Sequence, residues 1–552
     1  MTDATAEPAP LDPTAVAKPD QAVEPGRDVE PGRDGEPNAV TAPQLVTETG
    51  LVTGPGPVAA PDPVTEPDPV AASDRLDGPD PVAKPTTVGK LDRAAEPTDV
   101  PDPTQAADTD PFGRPYAIAE PNTVAELDVV AIGCGPFNLG LAALASTVDD
   151  LTIAVLEAEP ELNWHPGLLF DDALLQVSFL ADLVSLVDPT HPLSFLAYLR
   201  DRDRLYRFYV RERFHPTRVE YQDYLRWAAA RLPSVRFGHR VTEVRWDGID
   251  GRFAVRAERP DGRSVLLRAP NVVLGIGTTP AMPACLAELP AERVLHSSMY
   301  LHRRGDIDAH DAVTVVGSGQ SGAEVVLDLL RRGTTSTIAW LTRTGAFTPL
   351  DYTKLVLEMT SPAYVSHFHG LPEQTRDALV AAQWRHYKGI STETVDELHD
   401  LLYRRELAGA APTLLRVGTT VESATVSTDG RVELTCRDAD TGAVFTHRTG
   451  VVVAATGYRE RPAGFLADVA PLLHRDTAGR LVVGADHAVA TDDTVTGRVF
   501  VANADLHSHG VAAPDLGIGA VRNATILNTV TGRTVYPLPV NTAFTTFGLA
   551  GP

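Results

Sequence analysis

The sequence predicts an α/β chain of two parallel-sheet lobes, the first discontinuous and the second inserted into it. Three stretches carry this expectation. Asp128 to Ile132 is an apolar strand that runs into the turn Gly133-Cys134-Gly135-Pro136-Phe137-Asn138 and an Ala/Leu-rich helix through Ser146. Ala312 to Val316 repeats the pattern with Gly317-Ser318-Gly319-Gln320-Ser321-Gly322 and a helix from Ala323 to Leu330. Val499 to Val501 is a last apolar strand, followed by a helix from about Gly517 to Leu527. A strand, a glycine turn and a helix N-terminus together make an anion site, so each lobe is expected to be a dinucleotide-binding, Rossmann-like domain.

Residues 1–120 come first and belong to neither lobe. They hold 22 of the 45 prolines and 23 acidic against 8 basic residues. They also repeat themselves, with Glu-Pro-Gly-Arg-Asp at 24 and 30 and Pro-Asp-Pro-Val at 61, 67 and 79. Too little apolar periodicity is present to offset the entropy of ordering, so a disordered tail is expected. The first part of the first lobe is assigned to residues 125–300, the second lobe with a helical segment to 305–450, and the remainder of the first lobe to 451–552.

Within the first part, Leu151 to Leu156 reads as the second strand and ends at Glu157, 24 residues after Gly133. A carboxylate there suits a ribose hydroxyl. Helices are expected over Leu193–Arg204 and Val219–Leu232 from their apolar spacing, then strands near Val235–Trp246, Phe253–Arg256, Ser264–Arg268 and Val272–Gly277. In the second lobe, the strand Ser336–Leu341 leads to Arg343 instead of an acid. A cation at that place suits a ribose 2′-phosphate, hence NADPH over NADH. Residues 348–403 read as mostly helical, with strands near Arg431–Cys436 and Val444–Arg448. Val451 to Ala454 reads as an apolar strand before Ala455-Thr456-Gly457-Tyr458, where the first lobe is expected to resume.

Composition excludes several classes. Of the net charge of −25, about 15 units belong to the tail, and no basic stripe points to nucleic acid. Cys134, Cys285 and Cys436 are far apart, in no metal-ligand or redox spacing, so no metal site is expected. Neither a signal peptide nor an apolar run of membrane-spanning length is visible, so a cytoplasmic protein is expected.

Taken together, Gly133-Cys-Gly-Pro-Phe-Asn, Trp164-His-Pro-Gly, Gln176-Val-Ser-Phe-Leu, Gly317-Ser-Gly-Gln-Ser-Gly, Ala455-Thr-Gly-Tyr and His509-Gly resemble the flavin-dependent N-hydroxylating monooxygenases, which act on lysine, ornithine or aliphatic diamines for siderophore assembly. The resemblance runs in order over about residues 125–550. It implies that NADPH reduces FAD, that reduced flavin and O2 form a C4a-hydroperoxide, and that a neutral amine nitrogen attacks the distal oxygen. It further implies FAD contacts from Gly133, Gly135, Pro136, Asn138, Glu157, Trp164, His165, Gln176 and Asn503, and NADPH contacts from Gly317, Gly319, Gln320, Ser321, Gly322 and Arg343. Gln176 is expected near the reactive ring, and Tyr387 and Lys388 with it as catalytic candidates. A homo-oligomer is expected by analogy.

Departures from the family pattern bear on the substrate. The ornithine type holds the amino-acid head group with a lysine, an asparagine and a serine; here the matching positions are Ala181, Leu357 and Gly517. A hydrogen bond to a charged group contributes about 1.5–3 kcal/mol, so a carboxylate bound without these contacts would be poorly compensated. The expected substrate therefore lacks a carboxylate. Asp515 stands two positions before Gly517 and could pair with the far ammonium of cadaverine or putrescine; equally, it could cap the helix that follows. Asp505 and Glu358 are further candidates for that ammonium. Tyr352-Thr-Lys-Leu-Val-Leu-Glu-Met-Thr-Ser-Pro and Tyr387-Lys-Gly-Ile also look like the diamine branch. The alternatives are a lysine N6- or ornithine N5-monooxygenase of the same family, or a non-catalytic flavin protein that binds a partner. A disulfide reductase is disfavoured by the missing cysteine pair. A Baeyer–Villiger oxygenase is disfavoured by the missing Phe-x-Gly-x-x-x-His-x-x-x-Trp fingerprint. Many relatives carry an acid shortly before the Ala-Thr-Gly-Tyr turn, where this chain has Thr449-Gly450.

Overall fold

The structure is a computed structural model and describes residues 125–549. The acidic tail assigned to residues 1–120 lies outside the described residues. The first lobe is built on a five-stranded parallel sheet in the order Arg498–Val501, Asn271–Leu274, Val129–Ile132, Ile153–Leu156, Val235–Arg236. The three central strands are buried at every position. A parallel sheet covered on both faces demands this of its sequence. Val129 and Ala131 face the helix Pro136–Ala145 and the aromatic side of the helix Arg218–Ala229. Val130 and Ile132 face the opposite way, onto Val255 and Leu267. Those two residues belong to a second, mainly antiparallel sheet of Ala125–Glu126, Arg240–Asp247, Arg252–Glu258 and Ser264–Ala269.

The second lobe repeats this layering. Its parallel sheet runs Val294–His296, Val451–Ala454, Ala312–Val316, Thr337–Leu341, Leu414–Arg416. Val313 and Val315 pack toward the helix Gln320–Arg332. Val452 and Ala454 pack toward Leu434 and Cys436 of the antiparallel sheet Thr419–Val426, Val432–Asp438, Val444–Thr449. The two-lobed architecture expected from the glycine turns is thus present, and the first lobe is discontinuous.

The boundary moves, however. The strand Val451–Ala454, read as the return of the first lobe, pairs with Ala312–Val316 and belongs to the second. Arg498–Val501 makes the return, beside Asn271–Leu274. Two helix assignments also change. The segment expected as one helix over Leu193–Arg204 ends at Asp201, and Asp203 takes a left-handed φ of 53° before a separate helix, Leu205–Arg211. The last helix starts with a 3-10 turn at Leu516–Ile518, continues as Gly519–Thr531 and stops at the left-handed Gly532. It lies against Pro136–Ala145, where the Asn523 side-chain amide donates to the Phe137 carbonyl at 2.9 Å. Among the described residues no helix is long and apolar enough to cross a membrane.

Candidate active site

Both glycine turns are constructed alike. Gly133 has φ +90°, and a Cβ there would lie 2.4 Å from the Gly275 carbonyl oxygen. Gly317 has φ +126°, and a Cβ would lie 2.1 Å from the Ala455 carbonyl oxygen. Only glycine satisfies either position. In each case the carbonyl comes from just past the neighbouring strand of the sheet, so the turn is pressed flat onto the scaffold. The helices that follow have Gly135 and Gly319 as N-caps and receive no side-chain cap. Their first N–H groups are therefore left for a phosphate. Pro136, Ser321 and both N-cap glycines are half-buried, so the turns are open to a ligand. Glu157 stands at the first turn: one carboxylate oxygen accepts the Cys134 N–H at 2.8 Å and the other the Glu159 N–H at 3.0 Å. Cys134 itself is buried, and desolvation together with Glu157 pushes its thiol up to about 12, so it is no nucleophile. Arg343 is exposed two residues after the strand Thr337–Leu341, one position beyond Thr342, the counterpart of Glu157 in the other lobe. These features fit FAD on the first turn and NADPH on the second.

The third turn position differs between lobes, and here the sequence reading of Asn138 is corrected. Asn138 is fully buried and its amide donates to the carbonyls of Ile132 (3.1 Å) and Gly133 (2.9 Å). A side chain closed off in this way braces the turn from behind and touches no ligand. In the second lobe Gly322 occupies this place because a Cβ would come within 2.7 Å of the Gly317 carbonyl oxygen. The Trp340 indole supplies the donor to that carbonyl, at 2.6 Å.

A cavity of about 570 Å³ opens between the lobes, lined by Leu174, Leu175 and Gln176 on one side and Leu350, Tyr352 and Arg385 on the other. That size suits a small-molecule site. The Gln176 amide donates to the Gln320 side-chain oxygen at 3.3 Å, so two residues expected on different cofactors meet. Trp164 is half-buried on the core against Tyr221, with ring centroids 5.3 Å apart. His165, at φ +53°, turns its ring to within 6.0 Å of the Tyr458 ring, which joins the Trp-His-Pro-Gly and Ala-Thr-Gly-Tyr segments. Desolvation and then the Arg218 charge hold this imidazole below its ordinary pKa, at about 4. Asn503, half-buried, leaves the strand Arg498–Val501 at φ +88°, a strained conformation for a side-chain-bearing residue.

Two of the three catalytic candidates are not brought to this cavity. Tyr387 packs with Tyr364, Phe368 and Val511 in a separate apolar cluster. The exposed Lys388 ammonium sits 5.1 Å over the Tyr387 ring. What Lys388 offers the nucleotide turn is its backbone: its carbonyl lies 3.6 Å from where a Cβ of Gly319 would be. The pair is adjacent in the chain, but the helical turn Arg385–Lys388 aims both side chains elsewhere and gives Arg385 to the cavity.

The substrate candidates converge better. A Cβ at Gly517 would lie 4.0 Å from both the Ala181 Cβ and Leu186 Cδ1, and 2.9 Å from an Asp515 carboxylate oxygen. Asp515 accepts the Gly517 N–H at 2.7 Å with one oxygen and the Tyr352 hydroxyl at 3.2 Å with the other. It is therefore a cap, and it also holds the hydroxyl of Tyr352, which lines the cavity. Burial raises its pKa against the pull of those two hydrogen bonds. Leu357 is half-buried at the end of the short helix Lys354–Leu357. Asp505 and Glu358 are both corrected as ammonium partners. Glu358 holds the backbone N–H groups of Phe544 and Thr545 at 2.9 Å each. Asp505 is fully buried, with Arg522 at 3.8 Å, His487 at 3.0 Å and His509 at 3.5 Å.

That last cluster escaped the sequence reading, although an arginine inside the apolar run of the final helix was the available signal. The ligand atoms of His487, Asp505 and His509 lie within 4.8 Å of one another, spacing a metal ion could use. The Arg522 guanidinium already supplies the positive charge there. Its carbon sits 4.8 Å over the Phe137 ring and one of its nitrogens donates to the Ala513 carbonyl at 2.6 Å. A second missed feature is the inter-lobe ion pair of Arg218 with Glu324, whose nitrogens and oxygens meet pairwise at 3.0 and 2.5 Å.

Comparison with known proteins agrees with this geometry. Residues 125–460 match the family model described as L-lysine 6-monooxygenase/L-ornithine 5-monooxygenase. The chain is 39% identical over 424 residues to a putrescine N-hydroxylase of Shewanella oneidensis, covering 76% of this chain and 84% of that one. Among solved structures, the FAD-bound cadaverine monooxygenase DfoA of Erwinia amylovora, from the desferrioxamine pathway, superposes with TM-score 0.74 at 37% identity, over 78% of this chain and all of that one. The Kutzneria ornithine N-hydroxylase, solved with reduced FAD, NADP+ and L-ornithine, gives TM-score 0.69 at 29% identity, over 74% and 99%. The chain belongs to the lysine/ornithine N-monooxygenase family of FAD- and NADPH-dependent enzymes.

Proposed function

We propose that this enzyme hydroxylates one terminal amine of a short aliphatic diamine, putrescine or cadaverine, for siderophore assembly. The observation that carries the reading is the placement of the Asp515 carboxylate beside Ala181 and Gly517. By resemblance, those two positions hold an amino-acid head group in ornithine enzymes. A carboxylate-bearing substrate would meet an acid and two small apolar residues there, whereas a diamine presents an ammonium. The relatives named for putrescine and cadaverine support the same reading.

The overall change is R-NH2 + O2 + NADPH + H+ giving R-NHOH + NADP+ + H2O. Reduced FAD and O2 supply the electrophilic oxygen when the flavin is bound. Gly133, Gly135, Pro136 and Glu157 would hold the flavin nucleotide, and Gly317, Gly319, Ser321 and Arg343 the NADPH. The chain's own task is to present one neutral nitrogen and keep the other charged. Asp515 has one oxygen committed to Gly517, while the other, touched by Tyr352 at 3.2 Å, retains acceptor capacity for an ammonium. Leu174, Leu175 and Leu350 give the cavity its apolar part, beside polar groups such as Asp351, Arg385 and Glu393. An alkyl ammonium has a pKa of about 10.4 in water, and an apolar wall disfavours its charged form. No side-chain base is invoked. A cytoplasmic homo-oligomer, drawing on the cellular NADPH pool, completes this reading.

The test is hydroxylamine yield from putrescine, cadaverine, lysine and ornithine side by side. A diamine is expected to dominate, and preference for either amino acid overturns the assignment. Asp515→Asn keeps a capping side chain and removes the charge. It is expected to raise the diamine KM roughly ten- to hundredfold, the worth of a charge-assisted contact, with the NADPH KM unchanged.

A further inference from the structure

We infer that Glu324, held by Arg218, is a positioning residue that sets Gln176 through the side chain of Gln320. The inference rests on the reading of Gln176 as the residue beside the flavin ring. Gln320 has every polar valence of its amide engaged by protein. Its nitrogen donates to Glu324 at 2.8 Å and to the Thr394 hydroxyl at 3.0 Å. Its oxygen accepts the Ser391 backbone N–H at 2.8 Å and the Gln176 amide at 3.3 Å. An amide so engaged has a fixed orientation, with oxygen toward Gln176. It also has nothing spare for a nucleotide, which departs from the expectation that Gln320 contacts NADPH.

Glu324 fixes that orientation together with the Ser391 N–H: a carboxylate can only accept, so the nitrogen end of Gln320 must face it, and the backbone N–H can only donate, so the oxygen end faces Ser391. Glu324 is 8% exposed and its partner Arg218 13%. Arg218 opens the helix Arg218–Ala229 of the first lobe, and Glu324 lies in the helix Gln320–Arg332 of the second. The chain Arg218–Glu324–Gln320–Gln176 thus leaves the first lobe, crosses the nucleotide turn of the second and returns. Burial raises the Glu324 pKa, and Arg218 is the strongest influence opposing that rise. Breaking a buried pair of this kind strands the remaining charge, so its geometry is strongly enforced.

Gln320→Ala and Glu324→Gln, made in the full chain, test this. Gln320→Ala removes the link and leaves the ion pair intact. Glu324→Gln keeps the shape and removes the charge that holds the nitrogen end of Gln320, leaving the Ser391 N–H as the remaining fixed donor to its oxygen. Anaerobic flavin reduction at saturating NADPH, read from flavin absorbance, is expected to slow roughly ten- to hundredfold in both, the scale of a misplaced reacting group. The NADP+ dissociation constant is expected to stay within about threefold of the parent, since the Gln320 side chain is fully engaged by protein and both variants keep its backbone N–H. The visible band of the bound flavin is expected to shift in both variants. Reduction at the parental rate overturns the inference, as does a lowered unfolding temperature with reduction unchanged. A rise in the NADP+ dissociation constant matching the rate loss also overturns it, by making Gln320 a direct contact. If Glu324→Gln fails to fold, Gln320→Ala decides alone. None of these readouts depends on which amine is the substrate, so failure of the diamine reading is separately visible.

Discussion

The two lobes solve one problem twice. Each lays a five-stranded parallel sheet between a glycine-turn helix and a smaller sheet, and each presses its first turn glycine under a carbonyl from the adjacent strand. They differ where the ligand differs. The second strand ends at Glu157 in one lobe and leads to Arg343 in the other, an acid against a base. They differ also behind the turn, where the first glycine carbonyl is satisfied by Asn138 in one lobe and by Trp340 in the other. Backbone geometry makes the turn alike in both lobes, and the side chains around it are what differ.

The sharpest way to break this parallel is to put a methyl group under each turn. Gly133→Ala meets the Gly275 carbonyl oxygen at 2.4 Å and Gly317→Ala meets that of Ala455 at 2.1 Å, both at positive φ. Neither carbonyl can retreat without opening its sheet. Gly133→Ala is expected to purify without bound flavin, measured by absorbance. Gly317→Ala is expected to remain yellow and lose NADPH-dependent reduction by roughly a hundredfold or more. If Gly317→Ala also purifies without flavin, the lobes are not independent sites.

A milder test exchanges the selecting charge. Arg343→Ala is expected to raise the NADPH KM about tenfold and leave the NADH KM unchanged; the guanidinium is exposed, and screening limits what one surface contact is worth. Equal effects on both nucleotides would remove Arg343 from the 2′-phosphate.

Legibility in the sequence followed the same division. Central parallel strands such as Val129–Ile132 and Ala312–Val316 are continuous apolar runs, and the turns are written in glycine, so both lobes could be read directly. An apolar strand carries no label for its neighbours, which is why Val451–Ala454 was assigned to the wrong sheet. Asn138 resembled a ligand contact because its partners, carbonyls behind the turn, exist only once the chain has folded. Asp505 looked like a free acid for the same reason, its arginine lying in another helix. Tyr387 and Lys388 stood beside each other in a suggestive segment, yet the turn of a short helix sends Arg385 to the cavity in their place. Asp515 was legible as a cap, because an acid after a proline and ahead of a helix is a local signal; the Tyr352 hydroxyl on its other oxygen comes from far along the chain and was not.

The lobes should also part company in acid. The first is pinned by a dry cluster in which Asp505 is held below the usual carboxylate range by Arg522 and the two histidines. Burial, with His487 next, pushes His509 down to about 3; burial also lowers His487, against the pull of Asp505. The second lobe has arginine–carboxylate pairs, Arg332 with Asp308 and Asp328, with the folded Asp308 carboxyl likewise held low, and the scattered histidines His296, His310 and His447, which burial also lowers, in place of a stacked pair on one carboxylate. The sign follows from proton uptake. An unfolded histidine protonates below about pH 6.5 while the buried pair stays neutral, so stability is fully present above that pH and lost as pH falls toward 3. Each pH unit removes about 1.4 kcal/mol per histidine. The carboxylate pairs release no comparable energy until the pH approaches about 4. Between pH 7 and 5, the unfolding temperature is therefore expected to drop by several degrees, with flavin release, reported by its fluorescence, as the first event. His509→Asn should flatten that slope. If flavin stays bound while the second lobe opens first to a protease, the buried cluster is not what makes the first lobe acid-sensitive.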